Sequence, residues 1–297
     1  MDIFVGTLNF NAGEDTFIQM KKSLRCRGKF LDLSTPAIMA ILNVTPDSFY
    51  DGGKINDKNS ILTVAEAMLK EGADILDIGG QSTRPGASRI SEIEEWDRIA
   101  PALIQIHKNF PDTIISVDTF YSEVAKKAID EGASIVNDIS AGEFDAKMFP
   151  FICASQTPYV MLHMQGSPEN MQKNPQYDNV VLEVLNFFIK KVSHLRKMGL
   201  HDIIIDPGFG FGKNINHNYS LLKNLNHFQI LNCPIMAGIS SKSMVTKTLN
   251  VLPEDSLNGT TVLNSLALIN GASILRVHDV KEAAEIKKIF LEYKKSN

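Results

Sequence analysis

The sequence predicts an α/β fold, a single-domain (β/α)8 TIM barrel with a short N-terminal extension and a hairpin ahead of it. Three observations carry this. Eight short apolar runs recur along the chain, each ending in polar or glycine residues. They are nearly continuous in Ile, Leu, Val and Met, as strands buried on both faces of a parallel sheet are. Helical segments separate most of them, and EGADILDI, EGASIVNDI and NGASILRVHD share a Gly-Ala turn from helix end into strand, with MGLHDIIIDPG a looser version. Such alternation closes most economically as a barrel; a doubly wound open sheet is the alternative.

Taken in order, residues 1–24 fall outside the repeat as the extension, and the domain is 25–297. RCRGKFLDLS, residues 25–34, reads as a hairpin across the barrel bottom. The first strand is AIMAILNV. The helix SILTVAEAMLKEG follows, with apolar residues at helical spacing, a Ser or Asn cap, and Gly72 at its end, where glycine takes the left-handed turn at least cost. The remaining strands are ADILDIGG, TIISVDT, SIVNDIS, YVMLHMQG, DIIIDPG, PIMAGISS and SILRVHD.

The 297 residues are 44% hydrophobic and 22% charged, a globular composition. A net charge of −4 gives no reason to expect a basic face for nucleic acid or anionic lipid, so an anionic substrate needs local cations. The N-terminus lacks a basic leader region and no apolar stretch reaches bilayer length, which predicts a cytoplasmic protein. Cys26, Cys153 and Cys233 are odd in number and far apart, arguing against a disulfide framework or zinc site.

DPGFGFGKN, residues 206–214, has glycines at 208, 210 and 212 and a lysine at 213, but neither Walker nor dinucleotide-fingerprint spacing. Phe209 and Phe211 between the glycines suit a flat ring better than a triphosphate. Barrel active sites lie at the carboxyl ends of the strands, which here offer Asn43, Asp77, Asp118, Asn137, Asp138, His163, Asp206, Ser240 to Ser243, Arg276 and His278. Single strand-end Asp and Asn residues often cap helices, but so many converging polar ends are hard to attribute to capping. Lys242, Arg276 and His278 follow the seventh and eighth runs, the usual phosphate position, and SSKS reads as a helix start whose free amides favour an anion. Asp118, Asn137 and Asp206 form an opposite wall of acceptors, suited to an amidine- or guanidine-like edge. The expected substrate joins a flat, nitrogen-rich ring to a phosphate ester.

The motifs ILNVTPDSF, DIGGQSTRPGA, SVDT, NDIS, HMQG, DPGFGFGK, SKS and RVHD, in that order, resemble dihydropteroate synthase over nearly all of residues 25–295. The resemblance implies condensation of 6-hydroxymethyl-7,8-dihydropterin diphosphate with 4-aminobenzoate, a magnesium cofactor, a cytosolic homodimer and the sulfonamide target class. It gives Asp118, Asn137 and Asp206 to the pterin edge, Phe211 and Lys242 to the ring faces, and Thr83 to the same pocket. It gives Asn43 to the magnesium, and catalytic roles to Lys242, Arg276, His278 and Arg84. The aminobenzoate pocket falls to Phe49, Thr83, Pro85 and Ser243. Ser241 stands where the family usually has Arg, and Tyr50 and Leu162 also depart from the common pattern. The alternatives are a pterin-dependent methyltransferase domain, against which NVTPDSF and STRPGA argue, and a catalytically weak pterin-binding homologue.

Overall fold

The computed structural model describes residues 23–44, 58–82 and 86–296. Phe49, Thr83, Arg84 and Pro85 of the expected site lie outside them, as do residues 1–22. The predicted hairpin is present: β1 (Ser23–Cys26) pairs antiparallel with β2 (Lys29–Asp32). Then follow β3 (Ala37–Asn43), β4 (Ile75–Gly79), β5 (Ile114–Asp118), β6 (Ile135–Asp138), β7 (Tyr159–Leu162), β8 (Ile203–Asp206), β9 (Met236–Ala237) and β10 (Ile274–Val277). These form one eight-stranded parallel sheet in the order β8-β7-β6-β5-β4-β3-β10-β9. A parallel bridge between Ile205 and Ile235 joins its two ends. The sheet is therefore a closed barrel, and the open-sheet alternative does not hold.

Helices cover the outside: α1 (Lys58–Glu71), α2 (Glu92–Asn109), α3 (Ser122–Asp130), α4 (Met148–Ser155), α5 (Val180–Lys197), α6 (Ile215–Lys223), α7 (Ser243–Leu249), α8 (Leu257–Ile269) and α9 (Val280–Lys295). The β9–β10 connection thus carries two helices. The shared Gly-Ala turn is a common helix cap. Gly72, Gly132, Gly199 and Gly271 have φ of +112°, +122°, +90° and +100°. The following amides of Ala73, Ala133, Leu200 and Ala272 reach back to Met68, Ala128, Leu195 and Ala267. Left-handed backbone at the C′ position makes that return bond possible, and glycine adopts it without a Cβ penalty. No helix among the described residues is long and apolar enough to cross a membrane.

Period-two alternation explains why the runs read as continuous apolar strings. Ile38, Ala40, Leu76, Ile78, Ile115, Val117, Val136, Met161, Ile205 and Val277 belong to the layer between sheet and helices. The opposite parity, Met39, Ile75, Ile114, Ile135, Val160, Ile204, Met236 and Ile274, packs inside the lower barrel with Leu24, Cys26, Leu31 and Leu33 of the hairpin segment. Each of these isoleucines and methionines contributes about 1.5–3 kcal/mol by burial. Two residues further along β4, β5, β6, β8 and β10, the same inward parity carries Asp77, Ser116, Asn137, Asp206 and Arg276. The barrel interior therefore changes from apolar to polar within one pleat.

Candidate active site

The polar layer is held together by Arg276. Its Nε donates to Asp77 Oδ2 at 2.7 Å and its Nη2 to Asp118 Oδ2 at 2.6 Å. Asn137 Nδ2 donates to the same Asp77 oxygen at 2.9 Å. The expected separation into a cationic wall and an opposing acceptor wall is corrected here. A guanidinium inside an eight-strand barrel lies within reach of carboxylates on neighbouring strands, and burial favours pairing. Asp77, fully buried, is the residue that sequence reasoning placed among the strand ends without a role. Its place two residues after Ile75 on an inward-facing parity was the available signal. Among the described residues, Asp77 Oδ1, Asn137 Oδ1 and Ser116 Oγ are buried with no hydrogen-bond partner.

Lys242 and Asp206 complete the cluster. A Cβ placed on Gly238 would sit 3.7 Å from Lys242 Nζ, 3.8 Å from Arg276 Cβ and 3.9 Å from Asp206 Oδ2, so these groups surround one point at the mouth. Lys242 Nζ donates to Phe209 O at 2.6 Å and lies 4.7 Å from the centre of the Phe211 ring. The expected proximity of Phe211 and Lys242 is present. Phe209 is instead turned into the core between sheet and helices. Asp206 Oδ1 accepts from Gly208 N at 2.8 Å.

Two glycines of DPGFGFGK permit a close backbone contact. A Cβ on Gly208 would lie 2.0 Å from His163 O, and one on Gly212 2.4 Å from Gln165 O. With φ of +72° and +60°, they let this loop fold directly against the segment that follows β7. The loop's Lys213 is buried beneath it and bonds to His163, Gly208 and Phe211. Nothing in the sequence distinguishes this lysine from a solvated one.

Burial dominates the titration of the cluster. It pushes Asp118 up to about 7 against the opposing pull of Arg276. It raises Asp206 against Lys242 and the Gly208 amide. It lowers Lys242 to about 8, with Asp206 opposing. Arg276 is raised, because the attraction of Asp77 and Asp118 overcomes the cost of burial. One guanidinium is therefore shared by two carboxylates, and Asp118 takes up a proton near neutrality.

The remaining predicted residues sit at the rim. Asn43 ends β3 in register with Gly79, and its Oδ1 and the Asp118 side chain flank the position of a Gly79 Cβ, at 3.6 Å and 3.3 Å. A half-buried amide oxygen here suits a hard cation that keeps several waters and rides on a phosphate ligand; the described residues hold no group of three His, Cys, Asp or Glu side chains placed for a metal. His278 is exposed, with Nδ1 3.3 Å from Ser240 Oγ. Ser243 opens α7 as SSKS predicts, and Lys242 occupies its N-cap position. Ser241 has φ +52°, and its hydroxyl accepts from Ser256 Oγ at 3.3 Å, toward the start of α8.

Residues 39–278 match the model of a family described as pterin binding enzyme. Over 274 residues the chain is 43% identical to the dihydropteroate synthase of Escherichia coli strain K12, covering 90% of this chain and 94% of that protein. The structure superposes with a TM-score of 0.87 on the Yersinia pestis dihydropteroate synthase solved in a sulfonamide drug complex, at 40% identity over 92% of this chain and 100% of that one. It superposes with a TM-score of 0.84 on the Xanthomonas albilineans dihydropteroate synthase in complex with 7,8-dihydropteroate, at 32% identity over 93% and 100% of the two chains. This chain belongs to the pterin binding enzyme family, among the dihydropteroate synthases.

Proposed function

We infer that the chain condenses 6-hydroxymethyl-7,8-dihydropterin diphosphate with 4-aminobenzoate to give 7,8-dihydropteroate and pyrophosphate. The observation that carries this reading is the polar cluster at the carboxyl end of the barrel, in which the buried Asp77, Asp118, Asn137 and Asp206 meet the partly buried Lys242 and Arg276. Asp206 and Asn137 present acceptors to the donor edge of a pterin, and Lys242, beside the Phe211 ring, places a cation near its face. The reading assigns His278 and Arg276 to the diphosphate, and Ser243, Phe49, Thr83, Arg84 and Pro85 to the aminobenzoate.

An aromatic amine is neutral at pH 7 and needs no strong base, so departure of the diphosphate is the difficult event. The bond from the exocyclic methylene to the diphosphate oxygen breaks, the ring nitrogens share the positive charge, and the amine nitrogen forms the new C–N bond and releases a proton. Lys242 and Arg276 are charged before the reaction begins, so no reorganisation is needed to stabilise the leaving anion. Magnesium, held at the Asn43 amide oxygen, would supply further neutralisation of the diphosphate.

The reading includes a homodimer in the cytoplasm. Leu249, Leu252, Leu257, Val262, Leu266 and Ile269 are exposed along α7 and α8, and Val262, Leu266 and Ile269 share one helical stripe. Cys26, Cys153 and Cys233 form no disulfide among the described residues, as in a reducing compartment. Leu266→Glu is expected to halve the mass measured by light scattering; an unchanged mass places the interface elsewhere. The activity is tested by pyrophosphate release from the pterin diphosphate, magnesium and 4-aminobenzoate. Release must require both substrates and yield 7,8-dihydropteroate, and methyl transfer to a corrinoid without pyrophosphate would defeat the reading.

A further inference from the structure

Lys213 is a charged residue type buried as completely as the barrel core, at 1% exposure. Its Nζ lies 3.0 Å from His163 O, 3.0 Å from Gly208 O and 2.9 Å from Phe211 O, and 3.0 Å from His163 Nδ1. It forms no ion pair within the described residues. Three carbonyl oxygens can only accept. An ammonium has three N–H groups for them, whereas a neutral amine has two and would give up one of the three contacts, Gly208 O alone having a second donor in the Phe211 amide. His163 is held neutral, its pKa lowered to about 2 by burial and by Lys213. Burial also lowers Lys213, with Asp206 opposing, but its hydrogen bonds are those of the charged form.

The ammonium is also where the site needs a charge. Arg276 is shared by Asp77 and Asp118, and Lys242 donates to a carbonyl. Gly208 links Lys213 to Asp206 directly, donating its amide to the carboxylate and accepting the ammonium at its carbonyl. A protonated Lys213 joins Lys242 and Arg276 as a cation acting on the Asp206 carboxylate. Without it an acid would take up a proton, and a protonated Asp206 would turn a donor toward a ligand edge that itself offers donors.

We propose that Lys213 is a positioning residue for the pterin edge: a permanent buried ammonium that ties together the loops after β7 and β8 and keeps Asp206 ionised without touching the ligand. The proposal rests on the pterin reading of Asp206. Other groups facing the pair are His163 from the end of β7, His217 on α6, Lys242 before α7 and Arg276 on β10.

The test is the pH dependence of binding of 6-hydroxymethylpterin, without diphosphate, measured by calorimetry between pH 5.5 and 9 on the natural protein, Asp206→Asn and Lys213→Met. The probe's own titration is common to all three and cancels in the ratios. Lys213→Met is expected to move the acid limb of binding upward by about one pH unit, so that the affinity ratio to the natural protein widens toward about tenfold at the acid end of the range and closes to within about threefold by pH 8.5. An equal loss at every pH, with the midpoint unmoved, overturns the proposal and leaves only a packing role. If Lys213→Met does not fold, the natural protein labelled with 15N-lysine decides: an ammonium resonance for Nζ up to pH 8 supports the proposal and a neutral amine at pH 7 overturns it. Failure of the natural protein to bind the probe, or undiminished binding by Asp206→Asn, takes down the pterin reading itself, a result distinct from an unmoved midpoint.

Discussion

Replacing Arg276 by Met removes the guanidinium that Asp77 and Asp118 share while keeping the length of the side chain. Removing one partner of a buried ion pair costs about 3–5 kcal/mol when the other charge is left uncompensated. Here the cost depends on pH, because Asp118 can take a proton. In the natural protein its pKa is raised from 3.8 to about 7, so the folded state holds a proton that the unfolded chain has lost. Stability from this group therefore falls as pH rises from about 4 to about 7, and between pH 6 and 8 it falls by about 1.4 kcal/mol.

Without Arg276 the Asp118 pKa rises further, the proton is retained throughout that window, and the fall becomes about 2.5 kcal/mol. Lys242 adds in the same direction. Its pKa, lowered to about 8 partly by Arg276, rises in the variant. A stability gain of about 0.4 kcal/mol between pH 6 and 8, due to the natural protein's lysine losing its proton early, then disappears. The penalty of Arg276→Met is thus expected to be about 1–2 kcal/mol larger at pH 8 than at pH 6, read from urea unfolding at the two pH values. A penalty equal at both would mean that Asp118 does not exchange a proton for Arg276, and the coupled-cluster account would be wrong.

Asp206→Asn should fold but lose about 2–3 kcal/mol of pterin affinity by calorimetry, since an amide cannot accept two parallel donors; undiminished affinity would remove Asp206 from the ring edge. Gly208→Ala must place a methyl 2.0 Å from a backbone oxygen at φ +72°, and an unfolding penalty of about 3 kcal/mol or more is expected, with loss of pterin binding. A penalty below about 1 kcal/mol would show that the two loops are not packed as described. Ser241→Arg should raise the rate of pyrophosphate release at most about tenfold, because Lys242, Arg276 and His278 are already present and solvent screens a rim charge. Restoration by several orders of magnitude from a silent natural protein would instead mark a degenerate binder.

The parts of this molecule that were legible in the sequence are those fixed by local pattern. The eight strands, the hairpin of 23–32 and the Gly-Ala caps follow from side-chain period and from backbone that only glycine adopts cheaply. Strand ends brought Asp118, Asn137, Asp206 and Arg276 to one barrel mouth, though with Arg276 set opposite the acceptors it in fact bonds. What the pattern could not give was pairing between strands. Asp77 bonds to Arg276 across 199 positions and to Asn137 across 60, and no local signal encodes that choice. Lys213 was hidden for a related reason. A lysine between glycines looks solvated until the segment after β7, 50 residues earlier, is folded over it. Phe209 and Phe211 were alike in sequence, and only the turn at Gly210 sends one into the core and the other toward Lys242.

The hairpin β1–β2 gives the barrel a further property. By packing Leu24, Cys26, Leu31 and Leu33 against the lowest inward layer, it makes the structure a stoppered vessel and not an open tube. Among the described residues the hairpin closes the lower end, so Asp77 and Asn137 face solvent through the mouth, where a ligand would cover them. The slowest amide and ammonium hydrogens to exchange should therefore be those beneath the ligand, and occupancy should slow them further while leaving the outer helices unchanged. The stopper thereby makes hydrogen exchange at the polar layer a gauge of how long the mouth stays shut.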